Sequence, residues 1–353
     1  MKHMLKLLPF SLILLLAGCG MENLSALDPR GPVAEMQLSL IQLSLYIMIF
    51  VIVIVFSIYA FVLIRFRERP GDTHIPKQVH GNRTLEFIWT TIPILLLLLL
   101  AIPNVMDTFT LADTGIPDEG VDEELLDEDD EVQDYVVIEA HAHQFWWEFV
   151  YPDLGVNAGQ DMYIPTDTRV IVELEASDVI HSFWVPALAG KQDNVPGITN
   201  DLWFEAPEEG IYMGKCTEIC GPSHWLMDFK VVAVDPDTFD SWAETMAEPP
   251  EDQLEPEGEV AVEGRDIFVE NCIACHAIGD EGGNTGPNFT NYSERTVVAG
   301  FLEYSDDNLH DWIRDPDSLK PGNEMPGFGE EAISDDEMDA LIEYINTLSV
   351  LDE

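Results

Sequence analysis

The segment KCTEICGPSHWLM, residues 215–227, concentrates side chains that bind soft metals: Cys216, Cys220, His224 and Met227. As a disulfide, the two cysteines would close a loop too short to stabilise the fold appreciably. Their spacing is not that of a redox dithiol. A zinc site would make no use of the methionine thioether, which is a good ligand for copper. The pattern therefore favours copper over a disulfide, a dithiol or zinc.

The second cysteine extends this set beyond a mononuclear copper site. One cysteine, two histidines and a methionine complete a mononuclear blue site, whereas two cysteines allow two copper ions to share bridging thiolates. His224 would bind one copper, and the other needs an imidazole from a separate strand. We expect His181, at the end of a strand in SDVIHSFW, and assign His141 and His143 to a strand face beside the site.

A second cofactor pattern lies in NCIACHAIG, where Cys272, Cys275 and His276 form Cys-x-x-Cys-His. The two thiols can form thioethers with haem vinyl groups while the histidine binds the iron. A thioredoxin-type dithiol or half of a zinc site shares the Cys-x-x-Cys part. We expect covalent haem c, because a small helical domain follows and Met325, in the loop KPGNEMPGFG, can supply the second axial ligand. Met338 lies in an apolar helix stripe and is expected in the core.

The elements that carry these residues begin with a membrane anchor. Two apolar stretches, at about 38–64 and 87–106, are long enough to span a bilayer. The loop between them holds five of the 16 lysines and arginines, which predicts that it is cytoplasmic. Residues 1–18 have the pattern of a lipoprotein signal peptide, whose cleavage would leave Cys19 as the lipidated first residue. An uncleaved signal is the alternative. Residues 19–106 then form the N-terminal segment and hairpin.

The rest of the chain divides by composition. Residues 107–134 are an acidic linker. Residues 135–247 contain short β-branched and aromatic runs, which predict an antiparallel sandwich or barrel. Residues 248–261 form a Pro/Glu-rich linker, and helical periodicity occupies 262–353. The expected fold class is a multidomain membrane protein with a two-helix transmembrane hairpin, an all-β barrel and an all-α domain. A flexible linker of about 15 residues spans roughly 20 Å and would keep the haem near the copper at millimolar effective concentration.

The charge balance limits the partners. With 66 acidic against 16 basic residues, the formal charge is −50. Nucleic acid and anionic membrane surfaces reward clustered cations, so neither is expected as a partner. The acids are spread over all segments outside the apolar stretches, which favours a surface adapted to high salt, where screening weakens self-repulsion. A surface that attracts cationic partners is the alternative.

With these motifs in place, the chain resembles subunit II of the haem–copper cytochrome c oxidases, in the caa type that has a cytochrome c domain fused at the C-terminus. The resemblance rests on the hairpin, HQFWWEF, HSFWVPALAGKQDNVPG, the Cys-x-Glu-x-Cys-x3-His-x2-Met run and the haem domain. It implies a cupredoxin-like barrel, a class I cytochrome c domain and the dinuclear copper centre CuA. The implied CuA ligands are His181, Cys216, Cys220, His224, Met227 and the backbone carbonyl of Glu218.

The resemblance also implies roles for single residues. The Glu218 carboxylate would face a magnesium ion shared with subunit I. Trp147 matches the aromatic residue at which electrons enter, and Glu86 matches an acid near a proton-uptake path. Phe145 stands where the aromatic motif usually begins with tryptophan, which is a departure from the family pattern.

The implied function is electron transfer in a bacterial inner membrane. Electrons would pass from an external cytochrome or other donor through haem c and CuA to subunit I, where oxygen is reduced to water and protons are pumped; subunit III is a further implied partner. Neither apolar stretch contains a histidine, so the chain cannot bind membrane haems by itself. The alternatives are a CuA subunit of a nitric oxide reductase and a free-standing membrane electron carrier or copper-delivery lipoprotein.

Overall fold

The computed structural model describes residues 23–67, 70–71, 75, 77–78, 80–115, 135–250 and 256–351. The expected signal peptide, Cys19 and most of the acidic linker lie outside these residues. The described chain forms two units: residues 35–116 make one, and the segments on either side of them make the other.

Both membrane stretches are single helices, α1 (Pro32–Arg65) and α2 (Arg83–Ala112). Their most apolar windows are not buried within the protein, as expected for helices that face lipid. Asn82 begins α2, because its side chain accepts hydrogen bonds from the backbone N–H groups of Thr84 and Leu85. Glu86 lies in the first turn of α2. The two helices contain the predicted spans 38–64 and 87–106.

Residues 135–250 form the β-unit, a sandwich of two five-stranded sheets with the strand orders β3-β2-β1-β5-β8 and β4-β10-β9-β6-β7. The helix α3 (Pro236–Ala247) follows the last strand. The strands are β1 (Tyr135–His143), β2 (Trp146–Tyr151), β3 (Val156–Gly159), β4 (Asp161–Pro165), β5 (Arg169–Ala176), β6 (His181–Trp184), β7 (Lys191–Asn194), β8 (Asn200–Phe204), β9 (Gly210–Cys216) and β10 (Asp228–Val234).

Two strand pairs depart from the predicted antiparallel pairing. Strands β1 and β5 are parallel, and so are β4 and β10. Parallel neighbours need a long crossover connection, and the chain provides one: after β1 it runs through β2 and β3, places β4 in the other sheet and returns as β5. Between the sheets lie the rings of Trp147, Phe149, Phe183 and Phe229, with the centroids of Phe183 and Phe229 4.7 Å apart.

Residues 256–351 form the C-terminal unit, which is helical with four two-residue strands. Its elements are α4 (Glu259–Asn271), β11 (Ala277–Ile278), β12 (Glu281–Gly282), β13 (Val297–Val298), β14 (Leu302–Glu303), α5 (Asp306–Arg314), α6 (Pro316–Leu319) and α7 (Asp335–Ile345). Helix α4 starts three residues ahead of the predicted domain boundary at 262.

Helices α4 and α7 pack closely because of one glycine. A Cβ at Gly264 would lie 2.0 Å from the carbonyl oxygen of Ala340, so only glycine permits this approach. Ser334 begins α7 with a reciprocal capping box to Glu337. The predicted apolar stripe of α7, including Met338, is buried in the core of this unit.

Candidate metal centre and haem site

The predicted copper ligands converge at one end of the second sheet. His181 is the first residue of β6, and Cys216 is the last residue of the neighbouring strand β9. The loop between β9 and β10 carries Cys220, and its short 3-10 helix, His224–Leu226, places His224 and Met227. Because Cys216 N–H donates to the Met227 carbonyl at 3.1 Å, both ends of the loop are held together.

The donor atoms form two matching sets around two thiols. The Sγ atoms of Cys216 and Cys220 are 3.9 Å apart and both cysteines are free. Cys216 Sγ lies 3.8 Å from His181 Nδ1 and 3.4 Å from the Glu218 carbonyl oxygen. Cys220 Sγ lies 3.7 Å from His224 Nδ1 and 3.9 Å from Met227 Sδ. Each thiol therefore has one imidazole and one weaker donor beside it.

The electrostatics favour one thiolate before any metal binds. The hydrogen bond from the Cys220 thiol lowers the pKa of Cys216, and the same bond raises the pKa of Cys220. Burial alone would lower the pKa of His181, but hydrogen bonds to Cys216 and Asp178 raise it above its usual value. A metal cation that binds here displaces the remaining proton. Four of the side chains, His181, Cys216, Cys220 and Met227, are at most 6% exposed.

Asp178 orients His181, a role that the sequence analysis missed. His181 Nε2–H donates to Asp178 Oδ1 at 2.7 Å, which leaves Nδ1 directed at the thiols. The carboxylate is itself fixed, because it accepts from the backbone N–H groups of Gln144 and Val179, each at 2.6 Å. The only sequence signal was an acid three residues ahead of the histidine, in a chain full of acids.

The other aromatic and histidine residues lie beside the site rather than in it. Trp147 is fully buried, with its ring centroid 6.4 Å from that of His181. His141 and His143 lie on the outer side of β1 and pair with Glu139 and Glu148, each at 3.1 Å. Their assignment to a strand face is thus confirmed.

A glycine allows the metal-binding loop to approach the aromatic motif. Gly221 has φ +146°, and a Cβ there would lie 2.9 Å from both Gln144 Nε2 and a ring carbon of Phe145. Gln144 Nε2 donates to the carbonyl oxygen of Cys220. The loop with the two cysteines is therefore fastened to the turn between β1 and β2.

The Cys-x-x-Cys-His segment follows directly after α4, whose C-cap is Cys272. His276 Nδ1–H donates to the Pro287 carbonyl at 2.8 Å, so Nε2 is the nitrogen left for iron. Gly286 makes room for this ring, because a Cβ there would lie 2.6 Å from His276 Cε1. Burial lowers the pKa of His276, which keeps the imidazole neutral. These features fit an iron-binding histidine beside two thioether cysteines.

The two candidate methionines differ in position. Met338 is fully buried in α7, which confirms its assignment to the core. Met325 lies outside the helices and is half-buried against the edge of the same core. Its backbone N–H donates to the Asn323 side chain at 2.9 Å. Met325 is thus the methionine of the haem unit that remains free for a metal-binding role.

Three family profiles match the chain. They are the transmembrane domain of cytochrome c oxidase subunit II over residues 22–106, its periplasmic domain over 154–234 and cytochrome c over 261–349. Cytochrome c oxidase subunit 2 of Alkalihalophilus pseudofirmus OF4 is 50% identical, with 98% of each chain covered. This chain belongs to the cytochrome c oxidase subunit II family. The same subunit of Bacillus subtilis is 42% identical, again with 98% of both chains covered.

Quinol oxidase subunit 2 of Bacillus spizizenii is also similar, at 33% identity over 69% of this chain and 72% of the relative. Among solved structures, the periplasmic domain of cytochrome oxidase subunit II from Bradyrhizobium japonicum is 31% identical, with a TM-score of 0.31. The match covers 31% of this chain and 92% of the solved chain.

Family membership fixes the broad identity of each part. The chain is the subunit of a haem–copper oxidase at which electrons enter, and it lies in a bacterial membrane with its metal-binding units outside. Its β-unit is a cupredoxin-like copper domain and its C-terminal unit is a haem c domain, the fusion found in caa-type oxidases. It acts in a complex with subunit I and receives electrons from a donor. The nitric oxide reductase alternative is not favoured.

Proposed function

We propose that the copper domain holds a dinuclear CuA centre, through which electrons from the haem c domain pass to subunit I for oxygen reduction. The proposed ligands are His181, Cys216, Cys220, His224, Met227 and the carbonyl of Glu218. When bound, such a copper pair supplies a one-electron relay whose charge is shared across two thiolates. Support comes from the matched donor sets: each of the two thiols, 3.9 Å apart, has its own histidine.

The residues around this centre suit a relay rather than substrate chemistry. The thiols, His181 and Met227 are buried, so water is largely excluded from the donor atoms. Asp178 and the paired strands β6 and β9 hold His181 and Cys216 in place before a metal arrives. A preorganised site moves little when its charge changes, which keeps the cost of electron transfer low.

In the haem c domain we propose thioethers at Cys272 and Cys275 and axial ligation by His276 and Met325. Methionine opposite histidine raises the haem potential and suits electron transfer. The chain's own contribution is to fix the His276 tautomer through the Pro287 carbonyl and to shield the ring beside Gly286.

Several finer roles are also proposals. They are a magnesium ion at the Glu218 carboxylate, contact with subunit III, a proton-path role for Glu86, an electron-transfer role for Trp147 and lipidation of Cys19. Because Trp147 is fully buried and close to His181, we place its role inside the copper domain rather than at the surface that an external donor would meet.

The deciding experiment is metal analysis of the purified subunit with EPR of its oxidised form. We expect two copper ions for each covalent haem and a mixed-valence signal from two equivalent coppers. Cys220→Ser removes one bridging thiolate and should reduce the signal to that of a mononuclear site. Zinc, or a single copper per haem in the wild type, would refute the dinuclear centre. Oxygen and nitric oxide consumption by the complex then identify the electron acceptor.

A further inference from the structure

A turn of the C-terminal unit contacts the copper-binding loop at Pro222 and Ser223. Ser223 lies between Cys220 and His224 and is fully buried. Its Oγ–H donates to the carbonyl oxygen of Pro321 at 2.7 Å. A Cβ at Gly322 would lie 3.1 Å from Pro222 Cγ, so the turn lies directly on this loop. The loop with His224 and the loop with Met325 are thus joined by one hydrogen bond.

A second contact lies beside the haem-binding histidine. Gly159 ends β3, and the three atoms nearest to a Cβ built there all belong to Pro287 and Asn288, the closest at 2.6 Å. Pro287 is the residue whose carbonyl fixes His276. The β-unit therefore touches the segment that orients the iron ligand, and any side chain larger than hydrogen at position 159 would disturb the contact.

Charged side chains are buried where the β-unit and the C-terminal unit meet. Asp161 and Lys230 come from the β-unit and Arg295 from the C-terminal unit, and each is 5% exposed. Lys230 Nζ donates to Thr296 Oγ1 across the contact. Burial raises the pKa of Asp161, while the positive charges of Lys230 and Arg295 act in the opposite direction. Asp161 and Lys230 face each other on the paired strands β4 and β10, so separating the units would take Arg295 and Thr296 away from them. Buried charges that lose a neighbour of opposite sign are destabilised, which favours the docked placement.

Lys320 adds a fourth contact. It is 3% exposed, and its ammonium group donates to the Ala299 carbonyl at 2.7 Å within the C-terminal unit. Lys320 directly precedes Pro321, which accepts the hydrogen bond from Ser223, so this buried lysine lies beside the copper-binding loop.

We propose that these four contacts form a permanent docking face, which holds the haem domain in one register over the copper loop. The face is assigned to this chain's own C-terminal unit, which meets the copper loop at Pro222 and Ser223. Ser223 is a positioning residue that fixes the Pro321 turn on the loop. Because its charges are buried, the face should resist salt, which screens exposed pairs far more than buried ones. The docking face itself does not depend on the proposed function, whereas its effect on electron transfer does.

Lysine footprinting of the intact oxidase complex tests the face. The complex is treated with an amine-acylating reagent and labelling is read by mass spectrometry. Lys191, whose side chain is 53% exposed, reports reagent activity. We expect Lys230 and Lys320 to be acylated at least roughly tenfold more slowly than Lys191, at low and at molar salt alike. Equal labelling of the three lysines, or protection that disappears as salt rises, would overturn the proposal.

Matched glycine variants locate the face. Gly159→Leu should open it and raise labelling of Lys230 and Lys320 toward that of Lys191. Gly329→Leu is the control, because no atom lies within 4 Å of a Cβ at this position of the C-terminal unit. An unchanged haem spectrum in Gly159→Leu shows that the haem domain is still folded, and continued protection there would exclude the Gly159 contact.

A milder variant and a kinetic measurement distinguish a failure of the docking face from a failure of the proposed function. If Gly159→Leu does not assemble, Thr296→Val is the milder variant, and it should raise labelling at Lys230. In Gly159→Leu, haem-to-copper transfer followed by stopped flow should become slower and salt-dependent. The labelling pattern does not depend on copper content. Protected lysines in a protein with a single copper would therefore refute the proposed dinuclear centre and leave the docking face intact.

Discussion

Replacing Asp178 tests whether the copper site depends on an oriented histidine. The carboxylate accepts from His181 Nε2 at 2.7 Å and is itself held by two backbone N–H groups. Asp178→Asn keeps the shape of the side chain but removes its charge. Losing such a partner of a metal-binding histidine costs roughly 10- to 100-fold in metal affinity, which corresponds to about 1.4–2.8 kcal/mol.

The assay is a chelator titration of the assembled oxidase, with covalent haem as the internal measure of protein. We expect the half-loss of copper in Asp178→Asn at a chelator activity roughly 10- to 100-fold lower than in the wild type. Asp193→Asn is the control, because that acid pairs with Lys191 at the surface. Copper retention equal to the wild type in Asp178→Asn, with normal haem content, would show that the carboxylate does not support the ligand.

Three single variants and one insertion test the remaining parts. Gly286→Val should displace the His276 ring, because even a Cβ would lie 2.6 Å from Cε1, and the haem should lose its low-spin spectrum. Met325→Leu should leave the protein folded but lower the haem potential, measured by redox titration. Burial lowers the pKa of Lys320 to about 7. Between about pH 7 and about pH 10, the unfolded chain therefore carries a proton on this lysine that the folded chain has lost. Stability should therefore rise with pH across that window, and thermal unfolding of Lys320→Met should show a smaller slope. Doubling the linker ahead of α4 should leave haem-to-copper transfer unchanged, whereas a flexible tether alone would slow it about threefold.

The proposed copper ligands were predictable where they are close in sequence. Cys216, Cys220, His224 and Met227 share one thirteen-residue segment, so their spacing alone indicated a soft-metal site. His181 is 35 residues away from Cys216 and had to be chosen among three histidines. Its position at a strand end favoured it, and the structure places its Nδ1 3.8 Å from Cys216 Sγ.

Other features could not be read from the sequence for physical reasons. Side chains alternate with a period of two in parallel and antiparallel strands alike, so the parallel pairing of β1 with β5 left no local signal. Asp178 is one of 66 acidic residues, and nothing in its immediate sequence separates it from the solvated ones. Gly159 looks like an ordinary glycine at the end of a strand until Pro287, far along the chain, is seen against it.

The docking face and the linker would bring haem and copper together for different physical reasons. The sequence suggests a flexible linker, which would act by raising effective concentration and would leave the haem domain free to sample many orientations. The buried charges of Asp161, Lys230 and Arg295 instead favour one orientation, because separation would remove Arg295 from Asp161. A tether limits how far the haem domain can move, whereas the face fixes which surface meets the copper loop. Since electron transfer depends on the path between the two sites, the hydrogen bond from Ser223 to Pro321, and not the length of the linker, should set its rate.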